Sequence, residues 1–330
     1  MEEEKRHLNQ EILQDALFEH YSVRTDLAME AVEVVRSQTG REVDGATVQV
    51  EEGPHAKITR MSILTAAASR QLGKMPGHYS TIEAPALRER SRDLKKEIAQ
   101  LLAQELSRFL NRLKPQDTVL VVGLGNWNAT PDALGPRVVR HLLVTRHLFA
   151  QPALAELRQG LRPVAALSPG VLGITGIETG EIVLGVVQKI RPAMVIAVDA
   201  LAARETGRLC TTIQLADSGI NPGSGLGNRR VGITPETLGV PVLAIGVPTV
   251  VHAVTIVSDA LDLLQPAQAA PGQQKKALIN ELLSPHLGTL VVTPKEIDVF
   301  IEDVAQTVAG GLNTALHPGI GLEDALAYLQ

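Results

Sequence analysis

From Thr118 onward, short and nearly continuous apolar runs alternate with longer stretches of three- and four-residue apolar spacing. The runs TVLVV (118–122), PVAAL (163–167), MVIAV (194–198), TTIQL (211–215), PVLAI (241–245) and TLVV (289–292) read as strands. Residues 133–146, 178–190, 250–264 and 295–316 read as helices. Strands apolar on both faces, alternating with helices, predict an α/β protein with a largely parallel sheet covered on both sides.

Upstream the pattern changes. Residues 86–113 keep apolar positions at helical spacing in LRERSRDLKKEIAQLLAQELSRFLNRL, an amphipathic helix with a charged outer face. Residues 45–84 hold the strand-like runs ATVQVEE and AKITRMSI and the turn-rich GKMPGHYSTIEAP, a small β-rich elaboration. Residues 1–20 are polar and acidic, an appended arm, and QPAQAAPGQQKKA at 265–277 reads as a surface loop.

Composition narrows the function. Aromatics are 2% of 330 residues, so the core is aliphatic and stacking platforms for single-stranded nucleic acid are few. A net charge of −5 without a dense Lys/Arg block argues against direct nucleic-acid binding. The lone Cys210 excludes an intramolecular disulfide and a cysteine zinc cluster, and is expected to be inert packing. MEEEKRHLNQ lacks the apolar stretch of a signal peptide, and no window of about 18 apolar residues is present, so a cytoplasmic protein without a membrane span is expected.

Functional groups of an open α/β sheet collect beyond the carboxyl ends of its strands. Four polar segments are expected to converge there: GLGNWNATPDALGP with Asp132, DALAAR opening on Asp199, ADSGINPGSGLGNRR, and GVPTVVHAV with His252. Asp132 and Asp199 on one rim form a candidate dyad, because two close carboxylates share a proton and divide base and acid duties. The competing reading makes each Asp the cap of a following helix. The Gly123-Leu124-Gly125 turn lacks the third glycine of a dinucleotide fingerprint, which leaves a nucleotide-binding module as a weak alternative. DSGINPGSGLGNRR is either an anion cradle or a surface loop. Ser168, Ser218 and Ser224 lack the context of a nucleophile elbow. A metallopeptidase using Asp132, Asp199 and His252 is a further alternative.

Several long irregular strings then carry a resemblance: YSVRTDLAMEA, YSTIEAP, VVGLGNWNATPDALGP, SPGVLGITGIETGEI, VIAVDALAAR, TTIQLADSGINPGSGLGNRR, PVLAIGVPTVVHAVTI and VVTPKEIDVFIEDVAQTVAGGLNTALH. Together they resemble the spore germination proteases, endopeptidases that degrade small acid-soluble spore proteins. The resemblance implies a twisted, mostly parallel sheet flanked by helices, similar to the hydrogenase maturation endopeptidases. It also implies a self-cleaving zymogen, a homotetramer, a place in the forespore and spore core, and no cofactor or metal. Its catalytic aspartates correspond to Asp132 and Asp199. Asp26-Leu27-Ala28-Met29-Glu30 has the character of the family's cut sites, an acidic residue before a hydrophobic one followed by Ala. Self-cleavage is thus expected between Asp26 and Leu27, dividing a propeptide arm (1–26) from a single catalytic domain (27–330). Arg137, Arg204, Arg229 and Arg230 are candidate cations for the acidic side chain. The plainer reading of TDLAMEAVEVV is a helix start capped by Thr25 or Asp26. Two departures from the family pattern are His252, where Asp is expected, and a short stretch at 262–280.

Overall fold

A computed structural model describes residues 25–321 except 90, 152, 154, 155, 157, 222–230 and 265–289. The expected arm up to residue 24, and the expected loop at 265–277, lie outside the described residues. The strands are β1 (Ala46–Glu52), β2 (Lys57–Ile63), β3 (Gly77–Glu83), β4 (Val119–Gly123), β5 (Val164–Leu167), β6 (Met194–Ala203), β7 (Thr212–Ala216), β8 (Val242–His252) and β9 (Val291–Val292). The main helices are α1 (Ala28–Thr39), α2 (Ala66–Leu72), α3 (Arg92–Leu110), α4 (Leu134–Arg140), α5 (Thr179–Ile190), α6 (Ala253–Leu264) and α7 (Ile297–Leu316).

The strands form one sheet in the order β1-β2-β3-β7-β8-β6-β4-β5, with β9 against β8. Parallel pairing is confined to β5-β4-β6-β8. β7 runs antiparallel to β8, and the β1–β3 meander joins it through β3. The sheet is therefore mixed rather than mostly parallel, and the β-rich stretch at 45–84 extends it. Strand direction is set by the route of the connection, which apolar content does not encode.

On one face α3 packs against α7, and Ile98, Leu102 and Leu106 share a core with Val121, Ile196 and Ile245. α3 starts later than expected because Pro85–Arg88 is a single 3-10 turn and the Ser91 hydroxyl accepts the Leu94 N–H. On the other face α5 packs Val183 and Val187 over Leu120, Val195 and Ala197. Cys210 is buried, and burial pushes its thiol up to about 12, in keeping with inert packing.

Long-range partners fix several element ends. α4 stops at Arg140, short of the expected residue 146, where Asn313 of α7 takes over the next backbone groups. Its Oδ1 accepts the Leu143 N–H at 2.9 Å and its Nδ2 donates to His141 O at 3.1 Å. β6 and β8 extend each other well past their expected ends, pairing from Val195↔Val242 to Ala203↔Val251. Residues 250–252, expected to open a helix, therefore belong to β8.

His317, fully buried after α7, ties the 141–145 and 162 segments to that helix. Its Nδ1 accepts the Arg162 N–H at 3.2 Å and its Nε2 faces Leu143 O at 3.1 Å, which fixes a neutral tautomer. Burial depresses its pKa to about 4. The unfolded chain then takes up the proton first, so stability is full above about pH 6.5 and is lost as pH falls toward 4. His317→Gln, which does not titrate, should remove a loss on the order of 3 kcal/mol across that window. Parallel urea melts of both proteins between those pH values check it; identical slopes would remove the assignment.

Candidate active site

The turn after β4 is shaped around Asp132. Asp132 closes the 3-10 turn Thr130–Asp132, which packs against β6, β8 and α7. The Asn126 N–H points at this residue, reaching Oδ2 at 2.8 Å and its carbonyl oxygen at 3.0 Å. Gly125 allows that approach: its φ is +109°, and a Cβ there would lie 2.0 Å from Asp132 O. Gly135 at the start of α4 is equally confined, since a Cβ would stand 2.4 Å from Leu124 N and 2.6 Å from Val198 O. These glycines serve close packing of the turn on β6 and on Asp132. In the Gly-x-Gly pattern that suggested a dinucleotide, Gly125 makes room for Asp132 and Gly123 for α4, where a Cβ would lie 2.2 Å from Gly135 O.

Asp199 is buried inside β6, not at the start of a loop, because β8 continues to pair beyond it. Residues 200–203 are strand, which removes the helix-cap alternative for Asp199. Its register partner on β8 is Gly246, and Gly246 in turn pairs with Gln214 on β7. Directly paired residues share a face. Asp199 and Gln214 thus flank Gly246 on one face, two strand spacings or roughly 10 Å apart. The Leu201 side chain folds over Gly246 between them.

The expected convergence of four loops holds only in part. β7 is antiparallel to β8, so DSGIN leaves the sheet at the opposite end of the strands, and its Ser218–Asn221 line the cleft described next. GVPTVVH is strand. His252 ends β8 six residues beyond Gly246, about 20 Å along the strand, farther than an Asp and a His side chain on one ion can span. The Asp132, Asp199 and His252 metal set is not brought together.

A cleft of about 560 Å³ opens on this face, lined by Asp26, Lys74, Tyr79, Leu201, Gln214 and Gly246 among others. Thr25 and Asp26 form part of its wall, and Leu27–Glu30 run on from them into the core. β6 outruns β4, and Asp26 takes the vacated backbone groups: its N–H donates to Ala202 O at 3.0 Å and its Oδ2 accepts the Ala202 N–H at 2.9 Å. Leu27 is fully buried against Leu201, Ala203, Leu209 and Val251. Gln214 spans the Asp26–Leu27 bond, with Nε2 donating to Asp26 O at 3.3 Å and Oε1 accepting the Ala28 N–H at 2.7 Å. Glu30 is buried and saturated by the Arg204 N–H at 2.8 Å, the Glu205 N–H at 3.0 Å, the Arg208 guanidinium at 2.9 Å and the Thr25 hydroxyl. Neither Thr25 nor Asp26 caps α1; Leu27 holds the cap position, and its N–H donates to the Thr25 hydroxyl at 3.0 Å.

A family model described as germination protease matches residues 23–268 and 268–329. A germination protease of Caldanaerobacter subterraneus subsp. tengcongensis is 50% identical over 313 residues, spanning 90% of this chain and 95% of its own. One from Clostridium perfringens is 45% identical over 329 residues, spanning 94% and 100% respectively. One from Halalkalibacterium halodurans is 41% identical over 365 residues, spanning 94% and 98%. The chain belongs to the germination protease family.

As a germination protease family member it is a peptidase, and the cations of its cleft become relevant. Of those expected, Arg137 is committed elsewhere, to Glu302 at 2.9 Å and over the Trp127 ring. Arg204 reaches the segment through its backbone N–H. Arg229 and Arg230 lie outside the described residues. Two unexpected cations stand closer. Lys74 donates to Thr25 O at 2.8 Å; burial lowers its pKa while Asp26 and Glu30 work to raise it. Arg208 meets Glu30, Glu33, Glu83 and Glu205; burial opposes its charge, but the Glu33 and Glu30 carboxylates outweigh that and keep it ionised. Of the residues that sequence reasoning missed, Gln214 alone left a trace, a polar residue inside an apolar run.

Gly135→Ala drives a methyl group into Leu124 and Val198, so it should cost roughly 1–3 kcal/mol or more and loosen the turn. A lower melting temperature together with faster exchange of the Asn126 amide is the expected result. Unchanged exchange would show that the turn does not depend on this contact.

Proposed function

We propose that this peptidase is a zymogen endopeptidase that cuts itself between Asp26 and Leu27. Once matured, it begins the degradation of small acid-soluble spore proteins in the forespore and spore core, as a homotetramer. Asp132 and Asp199 form the catalytic pair in this reading, and no cofactor takes part. The ionised member takes a proton from water as the water adds to the Asp26 carbonyl. The protonated member gives its proton to the departing Leu27 nitrogen.

The observation that carries the reading is the seating of Asp26–Leu27 on the overhang of β6, three residues beyond Asp199. The acidic side chain before the bond meets the Ala202 N–H, with Lys74 beside it, which supplies a reason for an acidic residue there. Cutting the bond creates an ammonium group on Leu27, a residue buried among aliphatic side chains. An unpaired charge in such a place is strongly disfavoured, so the start of α1 leaves and the cleft opens to other extended chains.

Asp132→Asn and Asp199→Asn should each slow the appearance of a Leu27 N-terminus at least about a hundredfold while leaving the melting temperature close to that of the wild type. N-terminal sequencing of timed samples reads this directly. Full self-cleavage by both variants would end the aspartate-pair reading.

A further inference from the structure

Gln214 holds an extended segment by the groups on either side of the bond proposed to break. Its side-chain orientation is fixed by its two contacts: only Oε1 accepts the Ala28 N–H, which leaves Nε2–H facing Asp26 O. The residue itself is rigidly placed, buried in a strand with neighbours on both sides and anchored by the pairs Gln214↔Gly246 and Thr81↔Gln214. We infer that Gln214 is a catalytic residue that polarises the carbonyl of the bond being cut and stabilises the oxyanion formed from it. This rests on the self-cleavage reading above and adds to it the group that receives the developing charge.

The step balances without any further reactant. Water oxygen bonds to the Asp26 carbonyl carbon, and its proton passes to the ionised aspartate. The carbonyl π electrons move onto Asp26 O, which Nε2–H faces. The oxyanion then collapses, the C–N bond breaks, and the protonated aspartate delivers its proton to the Leu27 nitrogen. A donor fixed in advance at that oxygen gains strength as charge develops, so its 3.3 Å contact with the neutral carbonyl shortens in the transition state. Oε1, meanwhile, keeps the Ala28 N–H in register and so holds the leaving side of the bond still.

A residue that only anchored the segment would behave in the opposite way. Removing an anchor loosens residues 25–30, exposes the bond and leaves self-cleavage unchanged or faster. Removing an oxyanion donor slows it. Full-length Gln214→Ala should therefore release a Leu27 N-terminus about a hundredfold more slowly than the wild type. On a peptide containing Asp-Leu-Ala-Met-Glu cut by matured protein, the loss should fall in kcat, with KM changed severalfold at most. Gln214→Glu keeps the acceptor for Ala28 and donates only when protonated. Its rate relative to wild type should recover as pH falls through about 5 to 4. Wild-type or faster self-cleavage by Gln214→Ala, or a loss confined to KM, would overturn the assignment while leaving the peptidase reading intact. Wild-type protein that cuts neither itself nor the peptide would overturn that underlying reading instead. Should Gln214→Ala fail to fold, the pH-dependent recovery of Gln214→Glu decides: a ratio to wild type that does not change with pH overturns the role.

Discussion

β6 continues beyond the end of β4, and that overhang organises everything on the functional face. Backbone N–H and C=O groups on the vacated side need partners, and a buried strand offers little water to supply them. Asp26 meets both groups of Ala202, one with its own backbone and one with its carboxylate. Around that anchor Leu27 fills an aliphatic hollow, worth about 1.5–3 kcal/mol for a fully buried leucine, and Glu30 fills a socket of donors. Residues 25–30 are thus an integral part of the described core. With Leu27 and Ala28 fully buried, the Asp26–Leu27 bond is a poor target for foreign proteases, which need an extended, accessible chain.

The same seating carries an electrostatic imbalance. Four carboxylates, from Glu30, Glu33, Glu83 and Glu205, gather on the guanidinium of Arg208, with Lys57 reaching Glu83 at 3.6 Å and Arg204 near Glu205 as further cations. Burial raises the pKa of Glu205, and Glu33 and Glu30 add to that rise while Arg208 opposes it. Glu30 and Glu33 both belong to α1, so that helix brings two of the four carboxylates. Hydrophobic burial of Leu27 and saturation of Glu30 hold the segment down against that repulsion. In the self-cleavage proposed above, a new ammonium at Leu27 would turn the first of these restraints into a penalty and tip the balance toward release.

Much of this architecture was legible in the sequence, because apolar runs and helical spacing record local burial. The strands near 119, 164, 194, 212 and 242 and the helices near 92, 179 and 297 fall close to where the pattern puts them. The misses share one physical origin, in partners distant along the chain. β6 and β8 are long because each pairs the other, α4 is short because Asn313 takes its next backbone groups, and strand direction depends on how a loop travels. Asp132 and Asp199 stood out as polar residues against strand ends. Lys74 and Arg208 did not, since lysine in a turn and arginine in ETGRLC are ordinary until Thr25, Glu30 and Glu33 are folded onto them.

The mixed direction of the sheet has a chemical consequence. In a parallel sheet, ligands meet loops beyond the strand ends, and side chains in mid-strand lie beneath helices. Here β7 runs against β8, its outgoing loop leaves by the opposite end, and among the described residues Asp26–Ala28 and Ser218–Asn221 stand on the cleft side of β7. A mid-strand residue can then face a bound chain directly. Gln214 holds that position, paired through Gly246 to the row that contains Asp199. An amide fixed in a strand interior loses little freedom on binding, unlike one on a loop, so its orientation is set before any chain arrives. The reversal of one strand is what lets a rigid sheet, rather than a mobile loop, supply a hydrogen-bond donor to the carbonyl beside it.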